Sequence, residues 1–228
     1  MIREPSTIYM TAGSLICFAD DITNTFREDV LCSTLYIQLA AAKQVSRYHH
    51  FEQWADIYLK AMATFGLVSS ARKFTTYSAV QLPLLNIRTL LEHELSQLVP
   101  VTLRDRLVTF LAHYPRQLSN ETAMAVRERF IESQALVESA SGELNQVVFH
   151  VVLADVDNRI HGCVIAVSTR NAVNEAFFNQ DFSAAEREGD VHFGYYSADL
   201  FEPRYAQFRD TFSRLVSDRR EALEIALN

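Results

Sequence analysis

The chain has 228 residues, 49% of them apolar and 21% charged, with 21 basic against 28 acidic side chains and a net charge of -7. Such a chain buries a core without staples, which excludes disorder, collagen and coiled coil as its main organisation. The acidic surplus repels phosphate and speaks against general nucleic-acid binding, and six glycines are too few for several phosphate-cradling loops.

Gly13 to Phe18 is a short apolar run behind a glycine and reads as a strand, broken by the turn and cap formers Asp20 to Asn24. Thr25 with Glu28 three positions on resembles a capping box. Phe26, Val30, Leu31, Leu35, Leu39 and Ala42 then recur at helical spacing to about Val45. A second helix is expected from Phe51 to Phe65, with Trp54, Ile57, Tyr58 and Met62 inward and Gly66 as its left-handed stop. Residues 67 to 80 alternate loosely and are rich in Val, Thr, Ser, Phe and Tyr, which suggests a strand at a sheet edge.

Ile87 to Leu98 carries one apolar stripe and stops at Pro100. Thr102 opens another helix that ends near Pro115, and Ser119 or Asn120 caps a third. Beyond Gly142 the pattern turns to β. Leu144 to Ala154 and Arg159 to Thr169 read as a hairpin around Asp155-Val156-Asp157-Asn158. Both strands are nearly continuously apolar, so helices are expected to cover the sheet. Val191 to Tyr196 adds a strand, and a long helix with Pro203 in its first turn closes the chain. The expected class is α+β, an antiparallel or mixed sheet covered by several helices with a long C-terminal helix. The expected organisation is a single domain over 1–228, with a soft boundary near 141 between a mostly helical part (1–141) and the hairpin, strand and C-terminal helix (142–228).

The opening residues Met1 to Ser6 lack a basic stretch followed by an apolar run, so the expected location is the cytoplasm. No apolar run approaches the roughly 20 residues of a transmembrane helix. Three cysteines at unrelated spacings make no disulfide framework. Signatures of nucleotide binding (GxGxxG, GxxxxGK[ST]) and of a nucleophile elbow (GxSxG) are missing, and no cofactor is expected. One constellation bears chemistry. With a four-residue loop at 155 to 158, Ala154 pairs with Arg159, and His150, His161 and Cys163 gather on one side of the ribbon. Such a set could hold zinc with one carboxylate added, or serve as a cysteine–histidine pair, but a change of register by one residue removes it.

Aromatic residues are unevenly spread: positions 177 to 212 hold ten of the 24 Phe and Tyr side chains. Phe177, Phe178 and Phe182 sit among Asn174, Asn179, Gln180 and Asp181 without a clean period, while Tyr195 and Tyr196 follow on a strand. Aromatics rimmed by amides and charges are the composition of a protein interface; the same composition pins a loop to a core or lines a pocket. The sequence therefore leans away from catalysis. It suggests a cytosolic protein that binds protein, foremost copies of itself, through Phe177, Phe178, Phe182, Tyr195 and Tyr196. Two alternatives stay open: a small-molecule enzyme such as a hydrolase using His150, His161 and Cys163, and an effector or immunity-type protein that masks a partner.

Overall fold

The computed structural model of the protein describes residues 7–135 and 143–227. The elements follow in the order β1 (Ile8–Thr11), β2 (Ser14–Phe18), α1 (Asn24–Ala42), α2 (Phe51–Thr64), β3 (Leu67–Tyr77), β4 (Leu84–Asn86), α3 (Ile87–Glu94), α4 (Val101–His113) and α5 (Asn120–Glu128). They continue with β5 (Ile131–Ala135), β6 (Glu143–Ala154), β7 (Arg159–Thr169), β8 (Asp181–Ser183), β9 (Arg187–Leu200), α6 (Glu202–Leu223) and β10 (Glu224–Ala226). The fold is α+β. Eight strands form one mixed sheet in the order β10-β1-β2-β6-β7-β9-β3, with β5 also on β6, and β4 pairs with β8 separately.

The chain forms two compact units. One comprises Met1–Arg72, His150–Gly162 and Tyr195–Asn228; the other comprises Lys73–Phe149 and Cys163–Gly194. The soft boundary near 141 falls outside the described residues.

In the first unit, β2 runs parallel to β6, with Ser14 beside His150 and Phe18 beside Ala154. Every residue of β2 is buried, as a strand covered on both faces requires. Helix α1 is capped by Thr23, whose Oγ1 accepts the Phe26 amide at 3.2 Å, two residues before the expected capping box at Thr25. Gly66 takes the expected left-handed conformation after α2, at φ +91°. Helix α6 packs on α1 through Cys32, Leu35, Tyr205, Phe212 and Val216. Arg209 holds this pair together from the rim: it donates to both oxygens of the buried Asp29 carboxylate, at 2.8 and 2.7 Å, and to Glu202. Leu215 lies outside the buried stripe, and Val216 inside it.

In the second unit, α3 ends at Glu94, short of the expected stop at Pro100. Pro100 is the N-cap of α4 in place of Thr102, with its fixed φ suited to a helix start. Ser119 caps α5 by accepting the Thr122 amide. Strand β5 runs antiparallel on β6, Ile131 beside Val147, and β8 pairs with β4, Phe182 beside Leu85.

Candidate functional site

The aromatic residues expected at an interface lie inside the chain. Phe177, Phe178 and Phe182 are each 0% exposed, and Tyr195 and Tyr196 are each 3% exposed. The Phe178 ring centroid lies 4.0 Å from that of Phe177, 4.7 Å from Tyr114 and 4.9 Å from Phe149. The amides around them are anchors for a loop. Asn179 donates to the Leu111 carbonyl at 2.7 Å and accepts from Arg88 Nε at 2.8 Å; Gln180 donates to the Ala172 carbonyl at 2.8 Å. These side chains are already out of water, so a partner has no apolar surface to cover there. The interface expected at these five residues is corrected accordingly: they belong to the core.

The His150, His161 and Cys163 cluster is not formed either. The Asp155 amide donates to the Arg159 carbonyl at 3.0 Å, so Asp155 faces Arg159 across a three-residue turn in which Asn158 is left-handed, at φ +60°. This register is one residue from the expected one. Even positions of β6 then share a face with even positions of β7, which puts His150 on one face and His161 and Cys163 on the other. Among the described residues, no three or more His, Cys, Asp or Glu side chains are grouped to hold a metal ion. Burial pushes the Cys163 thiol far above its ordinary range, which leaves it unionised and a poor nucleophile.

Each histidine has its own setting. His161 lies between the Tyr195 hydroxyl, 2.9 Å from Nδ1, and the Asp155 carboxylate, 3.2 Å from Nε2. Asp155 also accepts the amides of Asp157 and Arg159, so one carboxylate builds the turn and faces the ring. Burial lowers the His161 pKa, and Asp155 opposes that shift.

His150 is the centre of a closed polar network, and it is 1% exposed. Its Nδ1 lies 2.6 Å from Ser14 Oγ and 3.1 Å from Gln38 Nε2, and Gln38 also donates to Ser14 Oγ. Its Nε2 lies 2.9 Å from the Tyr196 hydroxyl. Trp54 and Tyr58 of α2 meet the imidazole edge-to-face, with centroids at 5.9 and 5.0 Å. The phenol of Tyr196 fits because residue 162 is glycine; a Cβ there would lie 1.9 Å from Tyr196 Cζ. Burial, with the Arg47 cation adding to it, pushes the His150 pKa down to about 3. Burial likewise raises Tyr58 to about 12. Ser14 and His150 have the pairing of a nucleophile and its base, but both are sealed from solvent, and a hydrolase needs its serine within reach of substrate. The arrangement holds three strands and two helices together and does not present a reactive atom.

What the chain exposes lies elsewhere. β3 is the terminal strand of the large sheet, 11 residues long, and most of its residues are exposed. From it Lys73 donates to Glu94 Oε2 at 2.7 Å, and Tyr77 donates to Glu94 Oε1, which fastens the strand to the end of α3. Phe74 is 53%, Val80 90% and Leu84 53% exposed, so three large apolar side chains follow one another along the passage from β3 to β4. Ser14 and Gln38 carried no sequence signal as site residues, because each is a lone polar residue in an apolar context.

No protein-family model matches the chain, nor does any curated protein sequence. Solved structures do. In fold, the chain is similar to activated Cyt2Ba. That monomer, from Bacillus thuringiensis subsp. israelensis, aligns over 82% of this chain and 97% of its own, with a TM-score of 0.50 and 9% identity. A delta-endotoxin aligns over 88% of this chain and 86% of its own at a TM-score of 0.48 and 12% identity. The Evf virulence factor covers 96% of this chain and 84% of its own at 0.38 and 8%. At this identity the likeness to Cyt2Ba concerns the fold and assigns no activity. No helix among the described residues is long and apolar enough to cross a membrane.

Proposed function

We propose that the chain is a non-catalytic protein that works by association, with a second copy of itself as the partner and the free edge of β3 as the docking strand. The observation that carries this reading is the wet stretch from β3 to β4. A long terminal strand offers a row of backbone donors and acceptors, and Phe74, Val80 and Leu84 leave apolar surface uncovered beside it in sequence. Pairing with another strand satisfies the backbone and covers the side chains together, which is strand addition to a sheet edge. A natural monomer normally blunts such an edge with charge. Here Arg72 and Lys73 supply two cations, and Lys73 is engaged by Glu94.

Light scattering of the purified chain across micromolar concentrations tests the proposal. The expected result is a dimer or larger assembly that dissociates when Phe74, Val80 and Leu84 are all changed to Ser. A strict monomer at every concentration, or an assembly indifferent to these changes, overturns it.

A further inference from the structure

His150 lacks what a buried histidine needs in order to carry a charge. Among the described residues, every group that faces it is neutral or positive: Ser14 from β2, Gln38 from α1, Trp54 and Tyr58 from α2, Tyr196 from β9, and beyond them the Arg47 cation that follows α1. Gly162 of β7 contributes only the space that Tyr196 fills. No carboxylate is among these neighbours. His161 on the opposite face of the hairpin shows the contrast, because Asp155 stands beside its ring and compensates a proton there. Burying an uncompensated imidazolium is strongly unfavourable, so a proton on His150 is accepted only when the packing around it opens.

We infer that His150 is a proton-operated latch: neutral, it fastens α1 and α2 to β2, β6 and β9, and in acid it drives those elements apart by demanding hydration. The sign follows from linkage. A histidine with a folded-state pKa below its unfolded value takes its proton in the unfolded chain first. Its stabilising share is therefore complete above about pH 6.5 and is lost as pH falls toward the folded-state value near 3. Two pH units below 6.5 the opening equilibrium gains about 100-fold from this residue alone. The latch includes its own reporter, since Trp54 is the single tryptophan of the chain and its ring lies 5.9 Å from that of His150.

The test is urea unfolding of the full chain at pH 8 to 4, followed by Trp54 fluorescence, for the wild type, H150Q and H150N. Either amide keeps a polar group at the site and cannot titrate. Both are expected to be weaker at neutral pH, with an unfolding constant that rises from pH 8 to 4.5 about 100-fold less than that of the wild type. Parallel pH profiles for wild type and variants overturn the latch. If neither variant folds, NMR of the histidine-labelled wild type decides. The expected result is a His150 ring that stays neutral until the Trp54 environment is lost in the same step. A ring that titrates near pH 6.5 in an intact fold overturns the proposal.

Discussion

Gly162→Ala is the change that probes the interior of the first unit most directly. The added methyl would sit 1.9 Å from Tyr196 Cζ and 2.3 Å from both Cε1 and the hydroxyl oxygen. Carbon atoms in contact keep about 3.5 Å, so the ring must retreat by roughly 1.5 Å. It has little room, because Tyr58 and His150 lie on it with centroids at about 6 Å (6.1 Å for each). Overpacking of this kind costs about 1–3 kcal/mol, and a retreat of that size breaks the bond to His150 Nε2, which adds about 1 kcal/mol or more. A total of about 3 kcal/mol lowers the melting temperature of a chain this size by roughly 6–12 °C. Circular dichroism melts measure it. The same substitution in a Tyr196→Ala background should cost little, since the clash is gone, and the coupling in this double-mutant cycle should be about 2 kcal/mol or more. A melting point within about 2 °C of the wild type, or an equal cost in both backgrounds, would refute the packing described for this site.

Arg209→Ala should cost about 3–5 kcal/mol, because it strands the Asp29 carboxylate at the α1–α6 contact; the drop in urea midpoint should be smaller in Asp29→Asn/Arg209→Ala than in the single variant. Glu94→Gln should cost about 1 kcal/mol at neutral pH. Burial tends to raise the Glu94 pKa, but the bonds from Lys73 and Tyr77 outweigh it and hold the carboxyl below its ordinary value. Its stabilising share is present above the ordinary carboxylate range and lost as pH falls through the folded-state value, so the deficit of the variant should shrink in acid; a deficit constant with pH counts against the clamp. Phe178→Ala should destabilise by about 3–5 kcal/mol and leave the oligomeric state of the folded protein unchanged, as light scattering and denaturant melts together can show.

The helices were legible because their signal is periodic over many residues: Trp54, Tyr58 and Met62 recur at the spacing of one buried stripe, and all three are buried. The hairpin strands were legible from their unbroken apolar runs, and β3 from its mixed composition at an edge. Strands β1, β4, β8 and β10 have three or four residues each, too short to show any period. The parallel pairing of β2 with β6 joins Ser14 to His150 across more than a hundred residues, and no local pattern carries that information. The two site expectations failed for different reasons. The metal cluster depended on a turn of four residues, and the Asp155 amide closes a turn of three, which flips the face of every side chain beyond it. The aromatic surface failed because an interface rim and a pinned loop have the same composition. Only the partners of Asn179 and Gln180, which are carbonyls of the chain itself, distinguish one from the other.

All three cysteines are buried: Cys17 and Cys32 in the first unit and Cys163 in the second. A thiol reagent added to the folded protein therefore finds nothing to modify until the chain breathes. Mass spectrometry of timed alkylation would then read two clocks from one molecule, with peptides holding Cys17 and Cys32 reporting on one unit and the peptide holding Cys163 on the other. Whether those clocks run together or apart measures how far the two units share a single melting cooperativity, without any engineered label.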